Sequence, residues 1–190
     1  MGASIWTDLP TVEGDRVRRL RRTEYDALVA AGAFEGEPLE LIRGVIVRMS
    51  PQGAPHAAPI VLLNDLLVRA LGDRAYVRVQ LPLAGPDESE PEPDLAVVAR
   101  ELGFEDHPSE ASLVIEVART SQDYDRDVKA PLYAEMGVPE YWLVDVVAKT
   151  VEVRRDPIDG VYRDVVVVTA GEVQLAAFPD VCVDVATLFR

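Results

Sequence analysis

The chain has one cysteine, two histidines and few basic residues, and each scarcity removes a class of protein. Cys182 has no second cysteine to pair with, which excludes an internal disulfide. His56 and His107 are too few beside it to build a structural zinc site. Alternation in Val181-Cys-Val-Asp-Val185 places Cys182 on a strand, where it is expected to be a small buried apolar residue. No apolar run approaches the ~18 residues of a membrane span, and the start, Met1-Gly-Ala-Ser-Ile-Trp-Thr-Asp, lacks a basic end followed by an apolar stretch. A soluble, cytoplasmic protein with no membrane partner is expected. The 19 basic residues face 33 acidic ones, a net charge of −14, the wrong sign for holding DNA by broad phosphate neutralisation. Any nucleic-acid contact must therefore be local. Arg16, Arg18, Arg19, Arg21 and Arg22 form the one basic cluster; it reads first as a solvated, flexible arm over residues 1–22, and second as a phosphate-binding arm.

Several catalytic motifs are missing too. There is no Gly-rich phosphate loop ending in Lys-Ser or Lys-Thr, no Gly-x-Ser-x-Gly elbow and no His-Glu-x-x-His pair, so kinase, hydrolase-elbow and zinc-protease readings fall away.

What is present is a globular composition, 48% hydrophobic over 190 residues, enough for a single domain spanning 1–190. Thr23-Glu-Tyr-Asp26 offers a capping hydroxyl followed by an acid, and predicts a short helix to about Gly32. Leu39 to Met49 predicts two strands or one bent strand, broken at Gly44. Ile60, Leu63, Leu67 and Leu71 form the apolar stripe of a helix from His56 to Leu71. Strands are predicted over Tyr76–Leu83, Leu95–Ala99, Leu113–Ala118 and Tyr141–Val144, with an exposed loop from Gly85 to Pro93 and a helix from Asp125 to Met136 closed by Gly137. A β-rich tail over 150–190 completes the chain, with Pro157-Ile-Asp-Gly160 as a hairpin loop. The order describes an α/β protein, a mixed sheet flanked by helices.

The candidate chemistry lies in carboxylates that are hard to explain structurally. Glu116 sits inside Leu113-Val-Ile-Glu-Val-Ala118, where an ionised side chain is costly unless paired or bound to a cation. Asp94 opens the strand Leu95–Ala99; if the two strands are neighbours, both carboxylates converge on one end of the sheet. Two hard oxygen ligands suit Mg²⁺ or Mn²⁺. Lys129, thirteen residues past Glu116, is placed to reach back over the strand ends, where an ammonium stabilises charge growing on a phosphate. Structural alternatives stand beside each role. Lys129 is four residues after Asp125, the spacing of a weak surface ion pair. Asp94 suits a turn cap after Pro93, and Glu116 a buried salt bridge to Arg119 or Arg78.

The blocks Pro93-Asp94, Leu113-Val-Ile-Glu-Val-Ala118, Tyr124-Asp-Arg-Asp-Val-Lys129 and Gly137-Val-Pro-Glu-Tyr-Trp-Leu-Val-Asp145 closely resemble the Uma-two family of restriction-endonuclease-like proteins, in the PD-(D/E)-x-K superfamily. The match runs from about Thr23 to Asp145, with the β-rich tail beyond. The resemblance implies a restriction-endonuclease-like mixed sheet, metal ligation by Asp94 and Glu116, and a Mg²⁺-type cofactor. The superfamily signature would put lysine at 118, where this chain has Ala118; the resemblance implies that the lysine has moved to the next helix, here Lys129. Glu40 and His56 also match family positions, Glu40 as an extra ligand or base, and Gln80 fits a polar strand position that would place water. The bland alternatives are a solvent-facing Glu40 and a helix-capping His56.

The reading is a metal-dependent endonuclease that hydrolyses DNA phosphodiesters, with DNA as partner and a homodimer left open. The first alternative is a catalytically inactive nuclease-fold module for binding or regulation, which the net charge keeps open. The second is a glycosidase using the same two carboxylates, which would have no use for Lys129.

Overall fold

The computed structural model describes residues 17–49, 53–101 and 105–189. Helix α1 (Arg22–Ala30) opens the described fold. Its N-terminus is capped two residues earlier than Thr23 suggests: Arg21 is the N-cap, and Glu24 Oε2 accepts the Arg21 N–H at 3.0 Å. Strands β1 (Leu39–Ile42) and β2 (Val45–Arg48) form an antiparallel hairpin. Arg43 and Gly44 both take positive φ, 49° and 78°, the two-residue turn whose twist suits a hairpin. Glycine is required at 44, since a side chain there would run into Arg19.

Helix α2 (Ala54–Leu71) begins after an N-cap at Gly53, and His56 lies inside its first turn, so His56 is no cap. Strands β3 (Ala75–Val79), β4 (Leu95–Ala99), β5 (Leu113–Ala118), β6 (Glu140–Asp145), β7 (Thr150–Ile158) and β8 (Val161–Val168) form one six-stranded sheet in that order, with β5 and β6 parallel and every other pair antiparallel. The predicted strand to Leu83 ends at Val79, because Gln80 turns to φ 50° and leaves the pleat. The predicted hairpin loop at Pro157 shrinks to Asp159 and Gly160, both at positive φ, while Pro157 pairs with Tyr162 within the ladder.

The loop from Gly85 to Pro93 is exposed only at its tip. Ser89, Glu90 and Pro91 are buried, and Leu41 and Glu90 exchange backbone hydrogen bonds at 3.2 and 2.7 Å, so the loop acts as a partner for β1. Buried backbone needs such partners, which composition alone did not reveal.

Alternation divides the core into two layers. Leu113, Ile115 and Val117 of β5 and Trp142 and Val144 of β6 face Ile60, Leu63, Leu67 and Leu71 of α2. Val114 and Ala118, with Tyr141 and Leu143, face the opposite layer around Ala130, Tyr133 and Ala134. Each large apolar side chain buried this way stabilises by about 1.5–3 kcal/mol. Glu116 shares the second face, so it looks toward the helical segment that follows β5.

That segment departs from a single regular helix. A turn, α3 (Gln122–Tyr124), leads into a π-helical turn over Asp125–Lys129 and then α4 (Ala130–Glu135). Pro131 supplies the reason. It has no N–H for the carbonyl four residues back and its ring would crowd that carbonyl, and the widened turn relieves both. Gly137 ends the segment at φ 75°.

The tail adds β9 (Glu172–Gln174) and β10 (Cys182–Asp184), an antiparallel pair, and a 3₁₀ turn over Val185–Phe189. Val181, Val183 and Val185 point into the α2 layer, so Cys182 between them is exposed, contrary to the buried role expected for it. Of the expected N-terminal arm, residues 1–16, Arg16 among them, lie outside the described residues. Its last part is docked: the Leu20 N–H donates to Gly44 O at 3.0 Å and Arg19 Nη1 to Arg43 O at 2.5 Å.

Candidate active site

Register brings the two carboxylates together. Leu95 pairs with Ile115, so one step further Asp94 lies across from Glu116. Backbone contacts fix the pair: the Val117 N–H donates to Asp94 Oδ2 at 2.8 Å, and the Asp94 N–H lies 3.4 Å from Glu116 Oε2. The expectation that these strands are neighbours and that both acids meet at one sheet end holds.

Lys129 reaches the same point. The π turn leaves both Asp125 and Lys129 on the buried side, and Lys129 Nζ donates to Glu116 Oε1 at 2.9 Å and contacts Glu40 Oε2 at 3.1 Å. The surface ion pair between Lys129 and Asp125 does not form; Asp125 instead accepts the Ser121 hydroxyl at 2.7 Å. Neither Arg78 nor Arg119 pairs with Glu116, whose second donor is the Tyr133 hydroxyl at 2.7 Å. Glu40, on β1, is 3% exposed and accepts the Glu92 N–H at 3.2 Å, so it does not face solvent. Gln80 Nε2 lies 3.5 Å from Asp94 Oδ1, its amide oriented by the turn that ends β3. His56 Nε2 lies 3.5 Å from the same oxygen. All five expected site residues, Glu40, Gln80, Asp94, Glu116 and Lys129, are thus within one network. Tyr133, Asp125 and Tyr124 were not expected there. Tyr133 follows Lys129 by four residues, a helical spacing that puts it on the same face and was the available signal.

Electrostatically the site is short of positive charge. Glu40, Asp94, Glu116 and Asp125 are all buried, with Lys129 the one buried ammonium among them. Burial pushes the Glu116 carboxyl up to about 8, against the pull of Lys129. Burial also raises Asp125 to about 6, opposed by Lys129 and the Ser121 hydroxyl. Burial works against the Lys129 charge too, but Glu116, Glu40 and Asp125 together outweigh it and hold the ammonium well above its ordinary range. The short Lys129 contact favours ionised Glu116 and burial favours the acid; with one lysine shared among several carboxyls, the net effect on Glu116 is upward.

These groups line a cleft of about 550 Å³, open to solvent beside the hairpin residues Val47 and Met49. Among the described residues no three histidine, cysteine, aspartate or glutamate side chains are gathered into a ready metal cage. A Mg²⁺-type ion does not require one, since it is held by one or two carboxylates and completes its shell with water and phosphate oxygens. Glu116 Oε2 fits such a role, because its contact with the Asp94 N–H at 3.4 Å is near the limit of hydrogen bonding.

The fold is a mixed α/β one of the kind found in a nuclease-type domain. The structure is similar to the crystal structure of a putative nuclease belonging to DUF820 from Anabaena variabilis, with a TM-score of 0.66 and 18% identity over 80% of this chain and 89% of that one. A family model for Uma2, described as "Putative restriction endonuclease", matches residues 22–186. The chain belongs to that family, and the match takes in the β-rich tail as well as the part that carries the site. No curated protein matches the chain. Among the described residues no helix is long and apolar enough to cross a membrane.

Proposed function

We propose that the protein is a metal-dependent endonuclease that hydrolyses DNA phosphodiester bonds in the cleft of Asp94, Glu116 and Lys129. The observation that carries this reading is the convergence of Asp94, Glu116 and Lys129, from two strands and a π turn, within a buried cluster that has more carboxyls than cations. Asp94 and Glu116 would hold Mg²⁺ or Mn²⁺; bound there, the ion supplies Lewis acidity and neutralises phosphoryl oxygens. Lys129 sets a fixed positive charge beside the reacting phosphate, where negative charge grows as a water oxygen bonds to phosphorus and one ester P–O bond breaks. Glu40, 3.1 Å from the ammonium, would orient it and take a proton from the attacking water. Gln80, whose Nε2 lies 3.5 Å from Asp94 Oδ1, would position water beside that carboxylate.

The test is incubation of the purified protein with supercoiled, linear and single-stranded DNA, and with RNA, in Mg²⁺ or Mn²⁺ and then in EDTA. DNA cleavage that requires the metal and is lost in Glu116→Gln is expected. Cleavage that survives EDTA or persists in that variant refutes the mechanism.

One observation favours a second reading. Lys129 is already bridged to Glu40 and Glu116, a closed network that also serves a binding module with no activity. DNA binding without cleavage in either metal would select it.

A further inference from the structure

In a chain with 33 acidic and 19 basic residues, the cations around the cleft mostly answer the protein's own acids. Arg48, on the hairpin wall of the cleft, donates to Glu37 Oε2 at 3.0 Å, and Arg126 donates to Glu152 Oε2 at 2.8 Å. Lys129 is held between Glu40 and Glu116. Arg119 differs. It is exposed, and among the described residues its guanidinium makes no hydrogen bond or ion pair; only its backbone carbonyl is engaged, accepting from Gln122 Nε2 at 3.1 Å.

Its place in the fold is the rim of the cleft. Arg119 follows the end of β5, and Val117 before it and Thr120 and Ser121 after it all line the cleft. Arg119 Nη1 comes within 3.9 Å of the point where a side chain at Gly53 would begin. Gly53 precedes α2, and His56, three residues on, lines the cleft as well. The guanidinium therefore stands between the end of β5 and the start of α2, beside a cleft with four buried carboxyls, and pairs with none of them.

A nucleic-acid strand laid through this cleft brings more than one phosphate. Lys129 lies beside the scissile one, and its neighbour along the strand, close to the same acids, needs a cation of its own. A guanidinium suits that task, because its planar fork of N–H groups matches phosphate oxygens and its charge does not titrate. We propose that Arg119 binds the backbone phosphate next to the scissile one and so sets the path of the strand across the cleft. This rests on the nuclease reading for its ligand and adds a point of contact outside the reacting centre.

The experiment uses the full chain with Arg119→Gln, which removes the charge, Arg119→Lys, which keeps it, and Arg163→Gln as a control. Arg163 is exposed on β8, has no side-chain partner among the described residues and lines no part of the cleft. Binding of a short fluorescein-labelled DNA is read by anisotropy in Ca²⁺, and kcat and KM are read in Mn²⁺, both between about 50 and 200 mM KCl. Arg119→Gln should weaken binding by about tenfold at the low salt and about threefold at the high, because losing one phosphate contact lowers the salt slope by roughly one. The loss should fall in KM with kcat unchanged, and should be alike for unrelated sequences. Arg119→Lys should keep the wild-type slope. Every variant should melt within about 2 °C of wild type, since no internal contact is removed.

Wild-type slope and KM in Arg119→Gln would overturn the assignment and leave the nuclease reading intact. An equal loss in Arg163→Gln would also overturn it, by making the effect one of net charge, and a lower melting temperature in Arg119→Gln would do so by revealing a structural partner. Binding that depends on Arg119 in a wild type that cuts nothing would keep the contact and replace the nuclease reading with the binding module. A wild type that neither binds nor cuts DNA would remove both.

Discussion

Replacing Lys129 by methionine removes the ammonium while keeping an unbranched apolar stem in its place. In the metal-free protein this strands Glu40 and Glu116, 3% and 5% exposed, which the lysine contacts at 3.1 and 2.9 Å. Breaking a buried pair from one side costs roughly 3–5 kcal/mol. At about 2–4 °C per kcal/mol for a chain of this size, the melting temperature should fall by roughly 6–20 °C. The loss must depend on pH. Glu116 is already raised to about 8 with the lysine present, and without it that carboxyl binds its proton more readily still, so the deficit should be largest at pH 8 and shrink toward pH 5. Thermal melts in EDTA at both pH values measure this. A variant that melts within about 2 °C of wild type at pH 8, less than 1 kcal/mol on the same scale, would refute the claim that the ammonium holds the acids in place. In Mn²⁺ the same variant should recover part of the loss, because an ion supplies the missing charge, while cleavage stays down by about tenfold to a thousandfold.

Other outcomes follow from the same geometry. Mn²⁺ at ~100 times its dissociation constant should stabilise wild type by about 2.7 kcal/mol, a melting shift of roughly 5–10 °C; a full shift in Asp94→Asn would remove Asp94 from the ligand set. Glu90, Glu116 and Asp125 are raised to about 7, 8 and 6, each chiefly by burial. Raised carboxyls give stability that is complete below their unfolded range and lost as pH climbs through the folded values, so melts in EDTA should fall steadily from pH 5 to pH 8. A flat profile there would contradict the burial argument. Glu140, fully buried, accepts from Trp142 Nε1, Arg155 Nε and the Ala176 N–H at 3.0, 2.8 and 2.8 Å. Glu140→Ala should cost about 3 kcal/mol without changing cleavage per folded molecule, because Glu140 lies at the end of β6 away from the cleft; equal losses of both would make it part of the site.

Legibility in the sequence followed the range of the forces involved. Strand runs such as Leu113–Ala118 and the α2 stripe were readable because burial imposes a period on neighbouring residues. Glu116 was readable as a carboxylate in an apolar strand, an anomaly visible without any partner. What it paired with was not, because Lys129, Tyr133 and Glu40 are set by tertiary packing, and the salt bridges to Arg78 or Arg119 were equally good guesses by proximity. The π turn was invisible for a related reason. Pro131 signals an interruption near Lys129 but leaves open whether the helix starts, kinks or widens there. Cys182 failed at the scale of one residue, since alternation names two faces and only the fold says which is inside.

The overall charge and the site make different demands, and the structure separates them. A net charge of −14 would repel a polyanion if spread evenly, yet at the cleft the relevant balance is local. Four buried carboxyls share one ammonium, so each added positive charge there is worth more than one on the surface, where solvent and salt screen it. A cation bound between Asp94 and Glu116 would turn this deficit into attraction for a phosphate over a few ångströms only. Steering by a broad basic face would then be weak, and cleavage should depend less steeply on salt than for a protein with many phosphate contacts. The docked part of the arginine cluster agrees with this, since Arg19 is used on Arg43 O and Arg22 lies against Asp26 and Glu90 at 3.6 and 4.0 Å. Arg19 is thus spent on a backbone carbonyl and Arg22 on the protein's own acids.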